Sequence, residues 1–354
     1  MAAAALTSPV PAPRFLSRWI VGRGVDLTLV IGGSLAGYLY LLLFTVAQAP
    51  ASFLWWFWSV GFDGTHLFGT ASRTYFDQAA MKRDRRLFIG SLLFFFSLGP
   101  AMVLAGWKLP LAILVGVWAY YHVLRQHWGF VMLYKIRNRD MAAQDTRLDS
   151  LFLTVMLVSP PLHRYFVHSP EELGIPSRYA LAVVAPWFET AMWAGVAWVA
   201  GRYVWRQYAR WRAGEPLNAP KLMLLAAVAP LHWLTFAFLG VKAAVPTVTI
   251  VHNLQYHALI WFHNRQRYGD DNAERAHGRI PAAVTRSLLI YAAAALAFSL
   301  LYRLPGFHLG RVSDLAFGFF CGFGMTHYYL DSRIWRVRQD PELGRVLGLQ
   351  PAGG

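Results

Sequence analysis

Apolar residues run along this chain in blocks of about twenty, separated by short stretches rich in Arg, Lys, Asp and Gly. A helix needs about 20 mostly apolar residues to cross the hydrocarbon of a bilayer. Ten blocks approach that length: residues 26–47, 51–71, 87–106, 109–133, 149–167, 179–200, 220–240, 243–263, 282–302 and 312–331. Pro160 and Pro161 interrupt the fifth, and its failure to cross would reverse the orientation of everything after it. The pattern predicts an all-α protein, a polytopic transmembrane helix bundle of about ten spans. Residues 25–332 would form the bundle. Residues 1–24 would be an N-terminal tail, disordered over 1–13, with Arg14, Phe15, Arg18, Trp19 and Ile20 at the membrane surface. Residues 333–354 would be a C-terminal tail.

Composition agrees with a membrane protein. Charged residues make up 14% of the chain, against about 25% in soluble domains. The formal net charge of +15 invites a nucleic-acid reading, and its distribution argues against one. With a cytoplasmic N-terminus and ten alternating spans, 27 of the 33 Lys and Arg fall on the cytoplasmic side. Only Lys108, Arg164, Arg178, Lys242, Arg303 and Arg311 fall outside. Basic residues concentrate in this way in cytoplasmic segments, so both termini are expected in the cytoplasm, with the chain multi-pass in a bacterial inner membrane. The N-terminus, MAAAALTSPVPAPR, lacks the basic and apolar regions of a cleaved signal peptide. A single cysteine, Cys321, excludes a disulfide framework and a cysteine-based metal site.

The histidines add chemistry to this map. Spans 2, 4, 8 and 10 all run from outside to inside. They carry His66, then His122 and His127, then His252, His257 and His263, and finally His327. Most lie about 10–18 residues past the outer end of their span, which places them at one depth in the inner half of the bilayer. Asp63 and Asp77 share nearly one helical face with His66, and Asp331 follows His327 by four positions. A charged group at mid-span costs about 2.5–3.5 kcal/mol on insertion scales and usually serves function. The seven histidines are therefore candidate metal ligands, and Asp63, Asp331 and Tyr256 candidate catalytic residues. Gln126, Asn253 and Tyr256 are candidate hydrogen-bond partners of the ligands. A five-residue step turns a helix by about 140°, so His122 and His127 do not both face one ion, and two adjacent ions would use the spacing more easily. His232 reads as a hydrogen-bonded core residue; His163, His168, His277 and His308 carry no assigned role.

Residues 122–127, HVLRQH, and 252–257, HNLQYH, resemble the HxxxxH motif of the membrane-bound histidine-cluster iron oxygenases: fatty-acid desaturases and hydroxylases, and alkane hydroxylases. The paired HH motifs of those families have no counterpart in this chain. The plan is also similar to that of the bacterial beta-carotene-cleaving dioxygenases, polytopic proteins that hold iron with scattered intramembrane histidines. These resemblances imply a non-haem iron site, with two ions in the di-iron case, that oxidises a lipophilic substrate with O2 by hydroxylation, desaturation or cleavage. Membrane lipids would surround the bundle. A separate reductase or electron-transfer protein would supply electrons, since the chain has no nucleotide-binding glycine motif and no CxxC. Two other classes fit intramembrane histidines: a haem-binding electron-transfer subunit and a metal- or proton-coupled transporter.

Overall fold

The computed structural model of the chain describes residues 14–269 and 273–349. The tail expected over 1–13 and the last five residues of the C-terminal tail lie outside the described residues. The long helical segments are α1 (Arg23–Thr45), α2 (Ala51–Trp58, a π-helical turn Ser59–Asp63, then Gly64–Arg73) and α3 (Gln78–Leu104). Next come α4 (Lys108–Arg137), α5 (Ala143–Leu162), α6 (Trp187–Arg212) and α7 (Ala219–Phe238). The series ends with α8 (Val241–Tyr268), α9 (Leu288–Val312) and α10 (Asp314–Ile334). Each falls on one of the ten apolar blocks.

Four of these helices are long and apolar enough to cross a membrane: α1, α3, α7 and α9. In α2, α4, α8 and α10 the apolar run is broken by Gly, Tyr, Gln, Asn and His. The helices with the strongest membrane signal are thus not the ones that carry the seven candidate histidines.

Helix ends meet in two sets. Arg137, at the end of α4, donates to the carbonyls of Ile20 at 3.0 Å and Leu347 at 2.9 Å. Segments near both termini therefore cover the same end of the bundle. Strand β1 (Phe15–Leu16) pairs in parallel with β2 (Leu217–Asn218) at this end. A short helix, Pro341–Val346, also packs here, with Leu343 and Leu347 buried. The expected tails are therefore docked segments over their described residues. At the opposite end Lys108, which starts α4, pairs with Asp314, which starts α10, at 2.5 Å. Between the ends, α3 and α10 approach at Gly99 and Gly318, where a Cβ on either would run into the other's backbone. Small residues allow this spacing between membrane helices.

An ionic knot ties the terminus-covered end. Lys135 of α4 and Lys221 of α7 are fully buried against Asp140 and Asp149. The Lys135 ammonium lies 2.6 Å from Asp149, and that of Lys221 2.9 Å from Asp140 and 3.0 Å from Asp149. Arg210 of α6 adds a third cation 3.1 Å from Asp140. Burial favours the neutral Asp140 carboxyl, but Lys221, Lys135 and Arg210 together outweigh it and hold its pKa below the usual value.

Removing one partner of a buried ion pair strands the others, which typically costs about 3–5 kcal/mol. Lys221→Met should therefore lower the unfolding midpoint in detergent by an equivalent amount. Because Asp140 titrates lower folded than unfolded, its contribution is present above about pH 4 and is lost as pH falls below that. The unfolding temperature of the wild type should fall more steeply below pH 4 than that of Lys221→Met.

Candidate metal centre

Four helices each place one imidazole at the same level. His66, His122, His252 and His327 lie eleven to fifteen residues after the first residues of α2, α4, α8 and α10. At 1.5 Å per residue that is about 17–23 Å along each helix. All four rings are buried. Ring centroids are 4.6 Å apart for His66 and His327, 4.8 Å for His122 and His327, 4.9 Å for His122 and His252, and 5.1 Å for His66 and His252. The rings form a closed cycle. One ligand nitrogen each of His66, His252 and His327 falls within 4.8 Å of the others, as do those of His122 and His327 with a carboxylate oxygen of Asp331.

The surrounding hydrogen bonds set which nitrogen of two rings points inward. His66 Nδ1 lies 2.5 Å from the Asp63 carbonyl, which only accepts, so Nδ1 carries the proton. At the other ring, Thr70 donates to Asp331 at 2.7 Å and Tyr256 donates to the same oxygen at 2.9 Å. Thr70 Oγ1 also lies 2.7 Å from His327 Nδ1 and 2.8 Å from the Tyr256 hydroxyl, and when its one proton goes to Asp331 it accepts from His327 Nδ1. Both Nε2 atoms then present lone pairs to each other at 3.0 Å. Two facing lone pairs repel, and a cation shared between them removes that repulsion. His122 Nε2 and His252 Nδ1 are buried with no hydrogen-bond partner, and His122 Nε2 lies 3.9 Å from Asp331. Leaving a buried polar atom unsatisfied costs about 1–3 kcal/mol. The donor set therefore fits a cation, and imidazoles suit Fe, Cu, Zn and Ni.

Three of the seven candidate histidines do not join the cycle. The 140° step predicted for HxxxxH is the reason in both motifs. His127 points away from His122 and packs near His232, ring centroids 6.0 Å apart. His257 turns from His252 and lies 2.9 Å from the Tyr291 hydroxyl and 3.0 Å from that of Thr65. His263, a further turn and a half along, packs on Tyr268 and Trp335.

The carboxylates also divide. Asp331 is tied to the cycle through Thr70 and Tyr256, whereas the Asp63 side chain pairs with Arg303 and contributes to His66 through its backbone. Asp77 is the N-cap of α3, accepting from the Ala79 and Ala80 amides at 2.9 and 3.1 Å, and it pairs with Arg267 and His277. Gln126 donates to the His252 carbonyl at 2.8 Å, which fixes α8 against α4, while the buried Asn253 side chain has no partner. The sequence reading missed Thr70. Its signal was present in GTHLFGT, four residues and one helical turn after His66.

Two cavities adjoin the candidate residues. One, of about 200 Å³, is lined by Thr70, Thr326 and His327 at one side and otherwise by apolar side chains, among them Leu92, Phe96, Phe298 and Phe323. The second, of about 460 Å³, lies at the terminus-covered end and is lined by His263 and by Arg73, Arg83, Arg267, Arg333 and Arg336, with three aspartates. No protein-family model matches this chain, and neither a curated protein nor a solved structure matches it.

Proposed function

We propose that this chain is an integral membrane metalloenzyme that uses a four-histidine non-haem iron centre to oxidise a lipophilic substrate with O2. All ten helices cross the bilayer in this reading, and the terminus-covered end, where the basic residues gather, faces the cytoplasm. The observation that carries the proposal is the cycle of four buried imidazoles from four helices, with His327 also forming part of an apolar cavity wall. When bound, iron would supply activation of O2, which organic substrates do not react with readily by themselves.

The chain's own residues have separable roles. His66, His122, His252 and His327 would hold the ion. The Asp63 carbonyl and the Thr70 hydroxyl keep the proton on Nδ1 of His66 and His327, leaving Nε2 free. Such outer partners typically contribute 10–100-fold to metal affinity. Asp331 and Tyr256 form a proton-holding pair beside the centre. The cavity is small for a whole drug-sized ligand, since such sites run to about 300–1,000 Å³. It suits one stretch of a long apolar chain, which enters between the partly exposed Phe96, Phe298 and Phe323. Its phenyl walls keep water from the reacting carbons. A haem alternative is disfavoured by the closed packing of the rings, which leaves no slot for a macrocycle.

Iron analysis of detergent-purified protein tests this reading. We expect about one iron per chain, lost in folded His122→Ala and His252→Ala variants and kept in His127→Ala. Protein that contains no iron and takes none up would refute it. Thr70→Val should weaken metal retention against a chelator by 10–100-fold while the helical content is unchanged. Dependence on a donor protein separates the reaction types. Hydroxylation and desaturation consume two external electrons per O2, whereas cleavage that places both oxygen atoms in products consumes none.

A further inference from the structure

A third HxxxxH lies at the opposite end of the bundle, in HRYFVH, residues 163–168. Here the two rings do meet, and the backbone explains why. Pro160 and Pro161 end the regular part of α5, because neither supplies the amide that would continue the helical bonding. The Leu157 carbonyl, which a residue at 161 would have engaged, instead accepts from the Tyr120 hydroxyl at 2.5 Å. The chain then winds into a π-helical turn, His163–His168. Bonding in a π turn spans five residues, so positions five apart return to nearly one face. In the α-helical motifs of α4 and α8 the same spacing diverges.

His163 Nε2 and His168 Nε2 are 3.1 Å apart. Glu189, in the first turn of α6, brings one carboxylate oxygen to 2.7 Å from His163 and 3.0 Å from His168. The three ligand atoms thus form a triangle with sides of 2.7, 3.0 and 3.1 Å. Ligand bonds of about 2.0–2.1 Å around a tetrahedral ion separate neighbouring donors by about 3.3 Å, so the triangle needs only slight spreading to cap one. Trp193 supports the arrangement, its ring 5.3 Å from that of His163 and its indole N–H 3.5 Å from the same Glu189 oxygen. Side-chain exposures of 30%, 43% and 34% leave the fourth position open to water.

We propose that His163, His168 and Glu189 form a second metal site, for a divalent first-row cation of the zinc type, that staples the end of α5 to the start of α6. Two imidazoles and one glutamate with water in the fourth position are a zinc donor set known from catalytic sites; here the set joins two helices. This site shares no residue with the four-histidine cycle, so it stands whether or not that centre holds iron. Its role is structural: it fixes the irregular connection between α5 and α6 on the side away from the basic face.

The test is calorimetric titration of chelator-stripped full-length protein in detergent with zinc chloride alone. The inner cycle is disabled by combining His252→Ala with His327→Ala, the ring common to both of its groups of ligand atoms, so that it does not add to the signal. We expect one equivalent of zinc to bind this variant and to raise its unfolding temperature. Adding His168→Ala or Glu189→Gln should abolish both effects, with the metal-free unfolding temperature within a degree or two of the parent. Failure of the His252→Ala/His327→Ala protein to bind zinc at 100 µM, or undiminished binding after His168→Ala is added, would overturn the proposal. Either outcome leaves iron content of the wild type as a separate question.

Discussion

The approach of His66 Nε2 to His327 Nε2 at 3.0 Å is the interaction on which the rest depends. His66 commits its proton to the Asp63 carbonyl, and when His327 commits its own to Thr70, two lone pairs face each other inside the bundle. The rings of His122 and His252 pack beside the pair. In the proposed centre a shared cation would turn these neighbours into ligands. Several otherwise unrelated features then acquire a common reason. Thr70 carries a hydroxyl between His327 and Asp331, and α2, α4, α8 and α10 reach the same level.

That demand shapes the bundle. Helices that carry imidazoles, amides and a carboxylate at mid-length are poor lipid-facing elements, because unpaired polar groups in hydrocarbon are costly. More apolar helices flank them. Few residues of α3 and α9 are buried inside the protein, so those two contribute much of the outward face. At the terminus-covered end, charge replaces apolar contact as the organising principle. Two lysines and two aspartates are sealed in one knot where α4, α5 and α7 meet. The apolar cavity beside His327 opens through the outward-facing layer, where a lipid-soluble molecule would approach.

Much of the helical layout was legible in the apolar blocks, since a block of twenty residues has few other uses. The common depth of the histidines was legible too, because same-direction helices count residues from the same side. What could not be read was which histidines converge. His122 and His127 look equivalent in HVLRQH, and only the rotation of α4 against its neighbours turns one inward. Thr70 was overlooked because hydroxyl residues are ordinary in membrane helices. The π-helical turns were invisible, as no composition marks them. One of them re-phases α2 just before His66, and another joins His163 to His168, so identical spacings gave opposite outcomes in different backbones.

The central claim is that imidazoles of four helices share one ion. X-ray absorption at the iron edge of the purified protein addresses it most directly. The account predicts a first shell of nitrogen and oxygen only, with the outer-ring scattering of three or four imidazoles. A spectrum with sulfur ligands, a porphyrin signature, or fewer than two imidazoles would contradict it.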